Sequence, residues 1–167
     1  MSTPTTTARR ANKHLTLTLA GEGYSVPVQQ VREIIRMQKI TFVPRLPECV
    51  KGVINLRGRI IPIVDLRTQF GLRAETTDRT CIIVAALQAP AARGITMGLI
   101  VDSVEDVAAV AADEIEPPPV FAGGIAAEYL LGIAKFRDGV KMLLNLQRVL
   151  QLDVLETIAT TTEAVAA

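Results

Sequence analysis

The stretch KGVINLRGRIIPIVDLR, Lys51 to Arg67, decides the fold. Val50 to Leu56 and Arg59 to Leu66 read as two strands meeting at Arg57-Gly58, because glycine takes a positive φ at little cost and so suits a tight hairpin. In the second strand Ile60, Ile61, Ile63 and Val64 are apolar on both faces. A strand of that kind is buried on both sides, and β-branched side chains favour the pleated surface. Pro62 has no N–H to give to a ladder, which predicts a sheet edge or a bulge there.

The pattern continues outward from this hairpin. Leu15, Leu17 and Leu19 alternate with threonines and predict a strand, followed by a turn at Gly21-Glu-Gly23 and a return strand over Tyr24 to Val26. Val28, Val31, Ile34 and Ile35 fall at helical spacing behind Pro27 and predict a short surface helix. On such a helix Glu33 points away from the apolar stripe, Arg36 lies on the same outer side and Arg32 sits at the boundary. Thr80 to Leu87 and Ile95 to Val101 form a second hairpin. Glu128 to Phe136 and Val140 to Asn145 flank Asp138-Gly139, a type I′ signal. The Val104 to Ile115 segment is ambiguous, helical by alanine content and only loosely so by spacing. A C-terminal helix is expected through Val149, Leu152 and Leu155. The polar stretch 72–80 is the expected subdomain junction, 1–13 and 159–167 are expected to be flexible tails, and no internal repeat stands out.

Composition narrows the function. The chain has 167 residues, 49% of them hydrophobic but only 4% aromatic, so its core is aliphatic and the chain is mainly β. Eighteen basic and seventeen acidic residues leave a net charge of +1, with no basic excess for nucleic acid. No apolar run approaches the ~20 residues that span a bilayer. Arg9 and Arg10 precede LTLTLA, but that run alternates with threonine and is too short for a signal-peptide core of about 7 residues or more. A cytoplasmic location is expected. Cys49 and Cys81 stand far apart; free thiols are the simplest account, with a disulfide as the alternative. His14, the only histidine, has no nucleophile near it in sequence, and no metal-ligand spacing is present. Asp65 and Asp102, each ending an apolar run, are candidates for a carboxylate pair or for turn caps. No catalytic constellation and no cofactor site emerges. An arginine at a hairpin tip, Arg57, either anchors a partner through its planar guanidinium or is a solvated turn residue.

Tyr24-Ser-Val-Pro-Val28, Val31-Arg-Glu-Ile34, Lys51 to Gly58, Ile61 to Arg67, Gly98 to Asp102, Ile115 to Pro118 and Tyr129 to Gly132, in that order, resemble the CheW family of chemotaxis coupling proteins. The resemblance runs from about Leu15 to Leu152 and implies one domain, 14–158, of two packed five-stranded SH3-like β-barrels with short helices. It implies that Val104 to Val110 is a strand. It also implies a non-enzymatic adaptor joining the cytoplasmic signalling tips of chemoreceptors to the regulatory domain of a CheA-type histidine kinase. A coupling protein of a pathway controlling pili, and a small enzyme using Asp65 or Asp102, are the alternatives. Matching motif positions place partner contacts at Val31, Glu33, Lys51, Gly52 and Arg57, with Glu33 and Arg57 also able to pair with each other. Ser25 stands where the family commonly carries glycine.

Overall fold

A computed structural model describes residues 11–88, 94–118 and 129–149. The chain opens with β1 (Ala11–Leu19) and β2 (Glu22–Pro27), an antiparallel pair turned by Ala20 and Gly21, both at positive φ. A 3-10 turn, Val28–Gln30, leads into β3 (Val31–Arg36). Then come β4 (Val50–Leu56), β5 (Arg59–Asp65) and a single helical turn, α1 (Leu66–Gln69). They are followed by β6 (Cys81–Gln88), β7 (Gly94–Val101) and β8 (Ser103–Ala111), then a 3-10 turn at Ala112–Glu114. The described part ends with β9 (Leu130–Phe136), β10 (Gly139–Leu144) and α2 (Leu146–Val149).

The strands form two five-stranded sheets, in the orders β8-β1-β2-β10-β9 and β3-β6-β7-β5-β4. Each sheet closes on itself. Beyond β3 the chain pairs Thr41 with Val53 of β4, and beyond β8 it pairs Glu116 with Ile133 of β9. The first barrel is therefore β3 to β7, and the second is β1 and β2 joined to β8, β9 and β10. Residues 72–80 connect α1 to β6 within one sheet, so they are no junction; polarity marked an exposed loop and nothing more.

The expected helix over 28–35 is replaced by the 3-10 turn and β3. Val31 and Ile35 share a face in either period, Ile34 fits only the helical one, and pairing with Ile82 to Ala85 of β6 wins. Arg32, Ile34 and Arg36 are exposed and Glu33 is half-buried, so Glu33 and Arg36 do not share an outer face. Val104 to Val110 lies within β8, as the family resemblance implied. The β9–β10 hairpin forms, but only Gly139 has a positive φ and Asp138 does not, so the turn is not type I′. Pro62 lies inside the sheet. The ladder from β5 to β7 begins only at Ile63, so the missing N–H costs no bond, and the bulge sits opposite, between Val50 and Gly52. Of the expected C-terminal helix only Val149 falls within the described residues, and both expected tails lie largely or wholly outside them.

Register exposes a duplication that the sequence had hidden. Gly52 to Leu66 and Gly132 to Leu146 match position for position, and each stretch passes from strand through hairpin to strand and then to a helical turn. Tyr24 to Val31 matches Met97 to Val104, and both edge strands bulge at the same place, between Val31 and Glu33 and opposite Leu15 and Leu17. Parallel pairing joins Ile63 to Gly98 in one barrel and Leu143 to Ser25 in the other. The chain is two β-β-β-β-β repeats, β1–β5 and β6–β10, and each repeat lends its first two strands to the other's barrel. Ser25 is the counterpart of Gly98, where a Cβ would sit 2.5 Å from the Ile63 side chain.

This plan explains why β5 is apolar on both faces. Ile61 and Ile63 enter the first barrel's interior with Ile54, Ile82, Val84 and Ile100. Val64 joins the larger core between the barrels with Leu15, Leu17, Ile83, Met97 and Leu99. Tyr24, Phe70 and Tyr129 extend that core as a row of rings, with centroids 6.3 and 6.1 Å apart.

Candidate functional site

The first barrel is closed at its seam by two contacts. Thr41 and Val53 exchange backbone hydrogen bonds of 2.8 and 2.9 Å. That approach needs Gly52, which is buried at φ +143°, because a Cβ there would lie 2.0 Å from the Thr41 carbonyl oxygen. Nearer the hairpin tip, the Arg57 guanidinium donates to both oxygens of Glu33, Nη1 to Oε1 at 3.2 Å and Nη2 to Oε2. Turn geometry places the arginine: Arg57 and Gly58 both have positive φ, 52° and 87°, and the Asn55 side chain accepts the Gly58 N–H at 2.8 Å. This is a type I′ turn. A two-pronged arginine–carboxylate contact fixes direction as well as distance. The Arg57 side chain is 66% exposed and that of Glu33 34%, so the pair is a surface feature worth about 1 kcal/mol at most.

Of the five expected contact residues, the structure joins Glu33 and Arg57 directly. Lys51 is half-buried in the β4 bulge, and Val31 is half-buried against the core between the barrels. Gly52 acts through backbone closure. Ile34 and Phe42, at 45% and 74% exposure, give the same barrel accessible apolar surface.

The second barrel has the same plan without the clasp. Arg137 holds the turn position of Arg57, and Asp106 holds the strand position of Glu33. Among the described residues Arg137 makes no ion pair, and the Asp106 carboxylate accepts the neighbouring Val107 N–H at 2.7 Å.

Asp65 and Asp102 do approach one space, but Arg67 fills it. Its buried guanidinium donates to Asp65 from Nε and Nη2, at 3.0 and 3.1 Å, and to Asp102 from Nη1 at 2.7 Å. It also donates to the Glu75 carbonyl. Burial alone would lower the Arg67 pKa, but the hydrogen bonds and charges of the two aspartates outweigh it and raise it. The other oxygen of Asp102 accepts the Ala20 N–H of the second barrel's hairpin at 2.6 Å. Both carboxylates are thus spent on locking the barrels together, and the carboxylate-pair alternative has no free acid or base. Sequence reasoning missed Arg67, whose partner Asp102 lies on a distant strand end.

Both cysteines are free, and burial pushes the Cys81 thiol up, away from reactivity. No group of three or more metal-ligating side chains occurs among the described residues, and no described helix is long and apolar enough to cross a membrane.

The comparisons agree with this architecture. The model of the CheW-like domain matches residues 13–154. The chemotaxis protein CheW of Klebsiella aerogenes is 32% identical over 136 residues, covering 81% of this chain and 80% of that protein. CheW of Bacillus subtilis is 39% identical over 112 residues, or 66% and 69% of the two chains. The crystal structure of the scaffolding protein TtCheW from Thermoanaerobacter tengcongensis superposes with a TM-score of 0.75 at 32% identity, over 86% of this chain and 90% of that one. With family model, relatives and fold in accord, the chain belongs to the CheW family of chemotaxis proteins.

Proposed function

We propose that this chain is a non-enzymatic scaffold that couples chemoreceptor signalling tips to the regulatory domain of a CheA-type histidine kinase on the cytoplasmic side of the membrane. A scaffold works by holding partners at high effective concentration and in fixed orientation, which needs a rigid body with shaped faces and no reactive centre. The observation that carries the reading is the exposed Glu33–Arg57 clasp at the seam of the first barrel, in a chain of the CheW family. The partner surface is built from Val31, Glu33, Lys51 and Arg57 over buried Gly52. Arg57 and Glu33 present paired charge, Ile34 and Phe42 add apolar area, and Gly52 keeps the strand beneath them in place. Family membership and the commitment of Asp65 and Asp102 to Arg67 support a role without catalysis.

The test is reconstitution with a receptor signalling fragment and a CheA-type kinase, reading complex formation and kinase activity. The wild-type chain is expected to assemble both partners, and Arg57→Glu to weaken assembly while its circular dichroism stays unchanged. Absence of assembly with every receptor and kinase pair tried would overturn the reading.

A further inference from the structure

The two barrels share a plan but not an interior. Where the first barrel places Ile54, Ile61, Ile82 and Val84, the second places Ala134, Lys141, His14 and Thr16 at the equivalent register positions. His14 pairs with Pro27 on one side and Ala108 on the other and is 4% exposed. Its Nδ1 is buried with no hydrogen-bond partner, and so is the Ser25 hydroxyl on the adjoining strand.

The charged groups around His14 offer it no carboxylate. On β10, buried Lys141 is held by Asp138 at 3.2 Å and lies 3.8 Å from Glu105, level with Gly23 and Thr18 and not with His14. From β8, Glu105 is engaged by Lys141 and by the Thr18 hydroxyl, while Asp106 spends its carboxylate on the Val107 N–H. Glu22 of β2, Lys135 of β9 and Lys13 of β1 itself are exposed. A neutral imidazole can leave Nδ1 as a bare acceptor. An imidazolium must bury an N–H donor with nothing to receive it.

We propose that His14 is a proton-sensitive lock on the second barrel, which stays closed around the neutral ring and opens when the ring is protonated, while the clasped first barrel stays closed. Burial lowers the His14 pKa from its ordinary 6.5, which sets the sign. Above that value folded and opened forms are both neutral and nothing is lost. As pH falls below 6.5 the opened form takes up a proton that the closed barrel refuses, so opening gains up to about tenfold per pH unit until the lowered pKa is reached.

His14 is the only histidine, so its ring resonances assign themselves in an NMR titration. Amide exchange of the whole chain, corrected for intrinsic rates and followed from about pH 7.5 down to 5, provides the second readout. Amides of β1, β2 and β8 to β10 are expected to lose protection about tenfold per unit below 6.5 relative to β3 to β7. His14→Ile, which installs the first barrel's residue, and His14→Gln are expected to remove the difference. A native His14 that titrates at or above 6.5, equal loss in both barrels, or an unchanged pH dependence in a folded His14 variant would each overturn the proposal. Should both variants fail to fold, the wild-type titration and exchange pattern decide it alone.

Discussion

Replacing Gly52 with alanine tests whether the first barrel closes as described. The new Cβ would lie 2.0 Å from the Thr41 oxygen and 2.8 Å from its carbon, and both atoms are backbone, so the strand must retreat. Retreat breaks the paired Thr41–Val53 hydrogen bonds, worth about 1 kcal/mol each. Holding a non-glycine residue at φ +143° costs about 1–3 kcal/mol more. The expected loss is about 3–5 kcal/mol, a large share of the roughly 5–15 kcal/mol that holds a domain folded. With a urea slope of about 2 kcal/mol/M, the unfolding midpoint should fall by about 1.5–2.5 M. Gly58→Ala is the control. It also sits at positive φ but has nothing within 4 Å of the added carbon, so only about 1 kcal/mol of backbone strain is expected. Gly132→Ala, whose Cβ would meet the Glu116 oxygen at 2.5 Å, should behave like Gly52→Ala and so reports on the duplication. Equal midpoints for the Gly52 and Gly58 variants at unchanged slope would refute the closure argument.

Arg67→Met should cost about 3–5 kcal/mol in chemical denaturation, because it strands the buried Asp65 carboxylate. Asp102→Asn should cost less, since its side chain is 24% exposed and an amide oxygen can still accept the Ala20 N–H. A loss under about 1 kcal/mol for Arg67→Met would deny the triad its locking role. The Tyr24 hydroxyl is pushed up to about 12 by burial, with a smaller push from Glu22. The fold favours the neutral phenol, so the associated stability is intact below pH 10 and is lost as pH rises through about 12. Ultraviolet titration should show a late phenolate step near 12 that Tyr24→Phe removes; ionisation of both tyrosines near 10 would contradict this.

Much of the fold was legible because short-range rules governed it. Alternation in Leu15 to Leu19, the Arg57-Gly58 turn and the two-faced apolar run of β5 each forecast what formed. β3 was not legible, because Val31, Ile34 and Ile35 together favour a helix, and only pairing with β6 overrides that spacing and leaves Ile34 on the exposed face. The duplication was hidden because the repeats keep Gly52 and Gly132, Arg57 and Arg137, Val31 and Val104, but exchange interior residues as different as Ile61 and Lys141. Residue type and hairpin position made Arg57 a candidate. Its pairing with Glu33 depends on two strands that share no ladder, so it was open as one option and became visible only in three dimensions.

The most direct test of the coupling surface is a charge exchange at the clasp, Glu33→Arg with Arg57→Glu, in the reconstituted receptor–kinase assembly. Each single change places like charges together and is expected to impair assembly. The double change restores the ion pair. A surface shaped by the pair predicts that the double variant recovers much of the lost assembly, with a coupling energy of about 0.5–3 kcal/mol in the cycle. Full assembly by every folded variant, single or double, would contradict the claim that this seam is where the scaffold meets its partners.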